Sequence, residues 1–276
     1  MSDGVVWVNG RVVDEADATV PFNDHGLTVG DGVFETLDTV DGKPFAVRRH
    51  LERLSRSAAG LGLRAPPPDV LRSAIDEVCG RCPLERYAVR VTVTGGPGPL
   101  GSMRGEAGPT VVVATMPARG WPPVGDVVVV PWPRNERGAL TGLKTTSYGE
   151  NVVALTYAKE RGASEAVFGN LAGNLCEGTG SNVFVGGAGR LVTPPLSSGC
   201  LAGVTRALLL ELGLAAEEEV PLSRLAEAEE AFLTSSTRGV QPIGRVDGSP
   251  LGAAPGPLSA TAADAIAALV ARDLDP

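Results

Sequence analysis

Lysine is almost missing from this chain. Lys43, Lys144 and Lys159 are the only three in 276 residues, and arginine carries the rest of the positive charge. Histidine is scarcer still, with His25 and His50 alone, and the four cysteines are Cys79, Cys82, Cys176 and Cys200. Cys79 and Cys82 form a lone CxxC with no second Cys or His pair at zinc spacing, so no metal site is expected. The cysteines read as reduced and structural, which places the protein in the cytoplasm. No stretch reaches the roughly 18–20 apolar residues of a membrane span. The first thirty residues carry scattered acids and no continuous apolar core, so no secretory signal is expected. A net charge of −8 argues against a nucleic-acid partner, while leaving room for a local basic pocket that takes an anion.

What is present is a substantial core, with 43% apolar residues, enough for one large domain or two ordinary ones. "VVWVNGRVV" and "VFETLDTVDGKPFAV" each place apolar runs on either side of a turn dipeptide, the signature of a hairpin. "RRHLERLSRSAAGLGL" recurs at helical spacing through Leu51, Leu54, Ala58 and Leu61, and "PPDVLRSAIDEVC" opens a second helix on prolines. "RYAVRVTVTGG" and "PTVVVATM" read as paired strands. "PARGWPP" is the best linker, followed by the strands "DVVVVPW", "EAVFGN", "NVFVGG" and "RLVTPP" and by helices near 147–161 and 203–213. "SRLAEAEEAFLTSSTRGVQPI" reads as helix, strand, polar loop, and "ATAADAIAALVA" as a surface helix. The irregular alternation predicts an α+β fold in two domains, 1–117 and 123–276, joined by a linker at 118–122.

Arginine does not lose its proton in proteins, whereas lysine does. Lys144, between a glycine and a helix in "GLKTTSYGEN", is therefore a candidate reactive amine, against the plain alternative of a surface lysine. Arg53 on the first helix, the helix start at Gly203, Val204 and Thr205, and the hydroxyls of "TSSTRG" each suit an anion, since backbone N–H groups at a helix start lack partners. Each also has a plain reading as a surface arginine, a capped helix or a polar loop. Glu177, in "LCEGTGSNVFV", suits a buried carboxylate facing a cation, or a solvated turn acid. Taken together, a reactive lysine, a phosphate cradle and a carboxylate for a ring nitrogen are the parts of a pyridoxal-phosphate site.

Seven segments in order, "DHGLTVGDGVFETL", "HLERL", "LKTTSYGEN", "EGTGSNVF", "LVTPPL", "CLAGVTR" and "FLTSSTRGVQPI", resemble the class IV aminotransferases across nearly the whole chain. That family includes branched-chain aminotransferases, D-amino acid aminotransferases and aminodeoxychorismate lyases. The resemblance implies the fold type IV architecture: a small N-terminal α/β domain, a larger β-rich C-terminal domain and the site between them. It also implies pyridoxal 5′-phosphate as cofactor, pyridoxamine 5′-phosphate in the half-reaction, and a homodimer whose sites are completed across subunits. Lys144 resembles the Schiff-base lysine and proton shuttle, and Glu177 the acid on the pyridine nitrogen. Arg53 resembles the phosphate arginine. Gly203, Val204, Thr205, Ser236 and Thr237 match the rest of the phosphate site, Leu201 the apolar residue under the ring, and Tyr148 a donor to the ring's phenolic oxygen. His50 falls near the phosphate end or is a packed helix residue; His25 carries no assigned chemistry.

The pocket motifs depart from the relatives. Leu27 and Val29 stand where D-amino acid aminotransferases carry aromatics, and "GGPGPLGSMRGE" lacks their Arg-x-His. Tyr87 and Arg90 are three apart, where branched-chain members place a tyrosine and an arginine two apart, so one strand face cannot present both in the same way. Arg90, Arg104 and Arg238 are the candidates for gripping a substrate carboxylate, with Arg90 favoured because it alternates with apolar strand neighbours. The expected activity is ping-pong transfer of an amino group from D-amino acids, extending to (R)-amines, to a 2-oxo acid. The alternatives are aminodeoxychorismate lyase and branched-chain L-amino acid aminotransferase.

Overall fold

The computed structural model describes residues 4–118 and 120–276. The chain divides into two compact units. The first takes the described residues up to 118 together with Leu143–Tyr148 and Asp273–Pro276, and the second takes Gly120–Gly142 and Gly149–Arg272.

In the first unit the strands are β1 (Val6–Val8), β2 (Arg11–Val13), β3 (Gly32–Val40), β4 (Lys43–Pro44), β5 (Tyr87–Thr94) and β6 (Val111–Pro117). They form one sheet in the order β2-β1-β6-β5-β3-β4. The helices are the single turn α1 (His25–Thr28), α2 (Val47–Gly60) and α3 (Pro68–Arg81). Both expected hairpins form. Asn9–Gly10 and Asp41–Gly42 have positive φ at both positions (45° and 101°, 48° and 73°), the twist that joins adjacent antiparallel strands in two residues. Val33 and Leu37 of β3 and Val89, Val91 and Val93 of β5 turn one face of the sheet into a core with Leu51 and Leu54 of α2 and Leu71 and Ile75 of α3. Helix α2 begins at Ala46 without a side-chain cap of its own. The tail supplies what is missing: Ala46 N–H donates to Leu274 O at 2.6 Å and Arg48 N–H to Asp275 Oδ1 at 2.7 Å.

The second unit contains β7 (Gly125–Val129), α4 (Gly149–Glu160), β8 (Glu165–Gly169), β9 (Leu175–Gly178), β10 (Asn182–Gly187), β11 (Arg190–Thr193), α5 (Val204–Glu211), β12 (Ala216–Glu217), β13 (Glu230–Ser235), β14 (Gly239–Val246), β15 (Ser249–Pro250) and α6 (Pro257–Arg272). Its mixed sheet runs β12-β11-β10-β13-β14-β7-β8-β9, with β15 paired to β14. Helices α4 and α5 fall where the sequence predicts them, and α6 buries Ser259, Ala262 and Leu269 along one face. In "SRLAEAEEAFLTSSTRGVQPI" the expected strand forms as β13, but the helix expected ahead of it does not. Only a 3-10 turn over Leu222–Leu225 forms, and the polar stretch after β13 is a tight turn into the further strand β14. The reason is tertiary: Ala231, Phe232 and Leu233 are wholly buried in β13 between β10 and β14, and that burial outweighs local helix propensity. Among the described residues no helix is long and apolar enough to cross a membrane.

Candidate active site

In the first unit the segment Leu143–Tyr148 lies along the edge of β3. Phe34 N–H donates to Lys144 O at 3.1 Å, Thr146 N–H donates to Gly32 O at 2.8 Å, and Thr145 bridges Val33. From the other side Lys144 N–H donates to Ser57 Oγ of α2 at 3.0 Å. The lysine backbone is thus fixed by a strand and a helix, while its side chain shares the face of Phe34. Lys144 Nζ lies 4.4 Å from the Phe34 ring centroid and Arg90 Cζ 3.8 Å from it. Tyr148 meets the same ring edge-on, centroids 5.2 Å apart. Phe34, which the sequence did not single out, is the platform that gathers three predicted residues.

Arg90 is half-buried on β5, where Nε reaches Thr92 Oγ1 at 3.3 Å. Burial lowers its pKa, opposed by Tyr148 and Glu35. Tyr87, three residues earlier, turns into the core and donates to Gly42 O at 2.6 Å, so the two lie on opposite faces of the strand. Arg104 is committed elsewhere: Nε and Nη2 pair with Asp31 at 2.6 Å each, and Nη2 also donates to Leu61 O at 2.9 Å. Leu27 and Val29 are exposed on the loop around α1.

Arg53 is buried on α2 and holds Glu35 of β3 through two bonds, Nε to Oε1 at 2.7 Å and Nη2 to Oε2 at 2.6 Å. His50 Nδ1 stands 2.6 Å from Glu35 Oε2. Burial alone would push the Glu35 carboxyl up; Arg53 and His50 outweigh it and hold it down to about 2. Burial pushes the His50 ring below its usual range, with Glu35 opposing and Arg53 and Lys144 adding to the fall. Sequence reasoning missed Glu35; its one signal is an acid midway along an otherwise apolar strand.

The second unit carries the remaining predicted residues at one end of its sheet. Glu177 on β9 accepts Leu201 N–H at Oε2 (2.9 Å), and its Oε1 lies 3.4 Å from Arg134 Nε. Arg134 in turn stacks over Phe168, the cross-strand neighbour of Glu177, with Cζ 4.0 Å from the ring. Asn182 Nδ2 donates to Leu201 O at 2.8 Å. Gly203 is the N-cap of α5 and has no side chain to cap with; an added Cβ would overlap Asn182 Oδ1. The opening N–H groups of α5, at buried Val204 and Thr205, therefore face outward from the helix with no side-chain cap at Gly203. Ser236 and Thr237 lie on the turn between β13 and β14, at the sheet end where Asn182 pairs with Thr234. Arg238, on that turn, is neutralised by Glu165 (Nη2 to Oε2, 2.8 Å) and bonded to Gln241. Glu165 also accepts Thr179 N–H at 3.2 Å and Ser181 Oγ at 3.3 Å, tying the turn after Glu177 to the turn that bears Ser236.

Residues 32–246 match the family model described as amino-transferase class IV. The chain belongs to the class IV aminotransferases. It is 32% identical over 255 residues to a Methanocaldococcus jannaschii protein provisionally named a branched-chain-amino-acid aminotransferase, covering 88% of each chain. It is 31% identical to the D-alanine aminotransferase of Bacillus licheniformis, covering 92% of this chain and 93% of that one. The structure is similar to that of the branched-chain amino acid aminotransferase from Escherichia coli, at TM-score 0.88 and 28% identity, covering 96% of this chain and 93% of the other.

The residues of this class IV aminotransferase fit a phosphorylated pyridine cofactor on their own chemistry. A helix start capped by glycine, tight against Asn182, offers backbone donors to an anion and leaves no room for a side-chain cap. Two hydroxyl residues follow on the neighbouring turn. The Glu177 carboxylate, oriented by Leu201 N–H, offers an anion to a protonated ring nitrogen. In the first unit, taken by itself, Arg53 offers an anion a guanidinium fixed in plane by Glu35.

Proposed function

We propose that this enzyme transfers the amino group of D-amino acids, and of (R)-amines, to a 2-oxo acid by a ping-pong mechanism, as a cytoplasmic homodimer. Pyridoxal 5′-phosphate, the cofactor of the family, supplies when bound an aldehyde carbon that carries the amino group and a ring that accepts electrons. Arg53, Val204, Thr205, Ser236 and Thr237 would hold the phosphate, and Leu201 would supply the apolar residue at the ring. Glu177 would keep a proton on the ring nitrogen, and Tyr148 would donate to the phenolic oxygen. Lys144 would anchor the cofactor, take the α-proton of the donor as a neutral amine and return it to the former aldehyde carbon.

One observation carries the substrate reading. Arg90 lies on the same aromatic ring as Lys144 Nζ, and its guanidinium is bonded to the Thr92 hydroxyl rather than to a carboxylate. Arg104 and Arg238, the other two candidates, are already paired with Asp31 and Glu165. A half-buried guanidinium in that position suits a substrate carboxylate. Similarity to a D-alanine aminotransferase over 92% of the chain supports D-amino acids as donors. The branched-chain reading draws on the similarities to two proteins of that name, but Tyr87 faces the core and is not offered beside Arg90. For the dimer, Phe22, Leu27, Leu100 and Met103 form an exposed apolar set on two loops joined by Asn23 Nδ2 to Gly98 O (3.1 Å) and His25 Nε2 to Pro99 O (2.9 Å), which a second copy would cover.

Half-reactions with a panel of D- and L-amino acids test the reading, with pyruvate or 2-oxoglutarate as acceptor. Turnover should require the acceptor and favour D-donors. Turnover without any 2-oxo acid would make the enzyme a lyase instead, and preference for L-leucine or L-valine would favour the branched-chain reading. Arg90→Leu should lower kcat/KM for D-amino acids by roughly 30- to 1000-fold, the ~2–4 kcal/mol expected for one partner of a buried charged contact. An (R)-amine has no carboxylate to lose and should fall far less. Equal losses for both would mean that Arg90 serves the fold or the cofactor.

A further inference from the structure

Glu35 and His50 are wholly buried titratable groups with no role in the chemistry above. Glu35 points from β3 into the apolar face, between Val33 and Leu37 and opposite Val91 across the strand pair. Burying a carboxylate there is costly, and as a contribution to stability alone a buried ion pair is a poor exchange for apolar side chains. The geometry points to a different use. We infer that Glu35 is a positioning residue that sets the guanidinium of Arg53 for a phosphate monoester, with His50 as its second clamp. This rests on the reading of Arg53 as a phosphate ligand.

The two parallel bonds from Arg53 to Glu35 fix both the position and the plane of the guanidinium, which a single bond would leave free to swing. An anion held by Arg53 then meets donors whose direction is already set. His50 Nδ1, at 2.6 Å, holds the same carboxylate from a second direction and keeps it from following the arginine. His50, Arg53 and Ser57 lie along one face of α2, at spacings of three and four residues. Ser57 holds the backbone N–H of Lys144, and Phe34, the strand neighbour of Glu35, holds its carbonyl. Glu35 therefore ties strand to helix at the level where both the phosphate arginine and the lysine are set. The charged groups acting on this cluster are Arg53 and His50 from α2, Lys144 from the β3 edge and Arg90 from β5.

Equilibrium dialysis of the full chain against pyridoxal 5′-phosphate and against pyridoxal, which lacks the phosphate, tests the inference. Arg53→Gln should weaken pyridoxal 5′-phosphate selectively. Glu35→Gln keeps size and polarity but loses the charged two-point grip, and should raise Kd for pyridoxal 5′-phosphate about 10- to 100-fold, the range of a hydrogen bond to a charged group. Its Kd for pyridoxal should stay within about 3-fold of wild type. Equal weakening of both compounds would make Glu35 a fold residue and overturn the inference, as would unchanged or tighter pyridoxal 5′-phosphate binding. If Glu35→Gln does not fold, the double variant with Arg53→Gln, which removes both charges, replaces it. That variant must match Arg53→Gln alone, because Glu35 acts through Arg53. Any further selective loss would overturn the proposal. An Arg53→Gln variant with no selective loss would instead remove the phosphate reading of Arg53 itself.

Discussion

Lys144→Ala should abolish measurable turnover while leaving a folded protein that still retains the cofactor through its phosphate. The structural part played by Lys144 is made by its backbone, N–H to Ser57 Oγ and C=O to Phe34 N–H, and alanine keeps both bonds. What is lost is the amine. A positioned general base contributes roughly 10²- to 10⁴-fold, and the same side chain is also the nucleophile that anchors the cofactor. The combined deficit should therefore lie at or beyond the top of that range. Single-turnover absorbance changes on mixing with a D-amino acid measure it. Added small primary amines should restore part of the rate, since they supply a base and leave the rest of the site unchanged. A variant turning over within about tenfold of wild type would remove Lys144 from the chemistry.

The second large effect is expected at Glu177. Glutamine keeps the shape and can still accept Leu201 N–H, so retention of the cofactor should change little. It cannot carry the negative charge. The ring nitrogen then loses the anion that holds its proton, and Arg134, 3.4 Å from the carboxylate, is left with Glu150 as its counter-ion. Hydrogen bonds to charged groups are worth about 1.5–3 kcal/mol, so proton removal from the donor should slow roughly 10- to 100-fold. Pre-steady-state rates with an α-deuterated donor separate this step from product release. Near-wild-type rates with an unchanged isotope effect would mean that the ring nitrogen is served by another group.

The sequence was most informative where chemistry is local. Asn-Gly and Asp-Gly dictate two-residue turns, and both hairpins stand where they were expected. The scarcity of lysine singles out Lys144 without any knowledge of the fold, because arginine can serve every purely electrostatic need. Partnership across the chain was the illegible part. Nothing in "LKTTSY" says that it lies along the edge of a strand far earlier in the chain. Nor does local sequence reveal that Arg104 is taken up by Asp31, or Arg238 by Glu165. Glu35 and Glu165 are hidden for the same reason. Each is one acid in an apolar strand, and burial with an arginine from a distant element is a tertiary outcome. The missing helix ahead of β13 is the opposite case, where a local pattern of Ala, Leu and Glu is outweighed by the sheet.

Reduction of the cofactor-loaded protein with borohydride, followed by proteolysis and mass mapping, tests the assignment of the reactive lysine most directly. With three lysines in the chain the answer is unambiguous. The phosphopyridoxyl mass should appear on the peptide that contains Lys144 and on no other. The same mass on a peptide containing Lys43 or Lys159, with Lys144 unmodified, would contradict it.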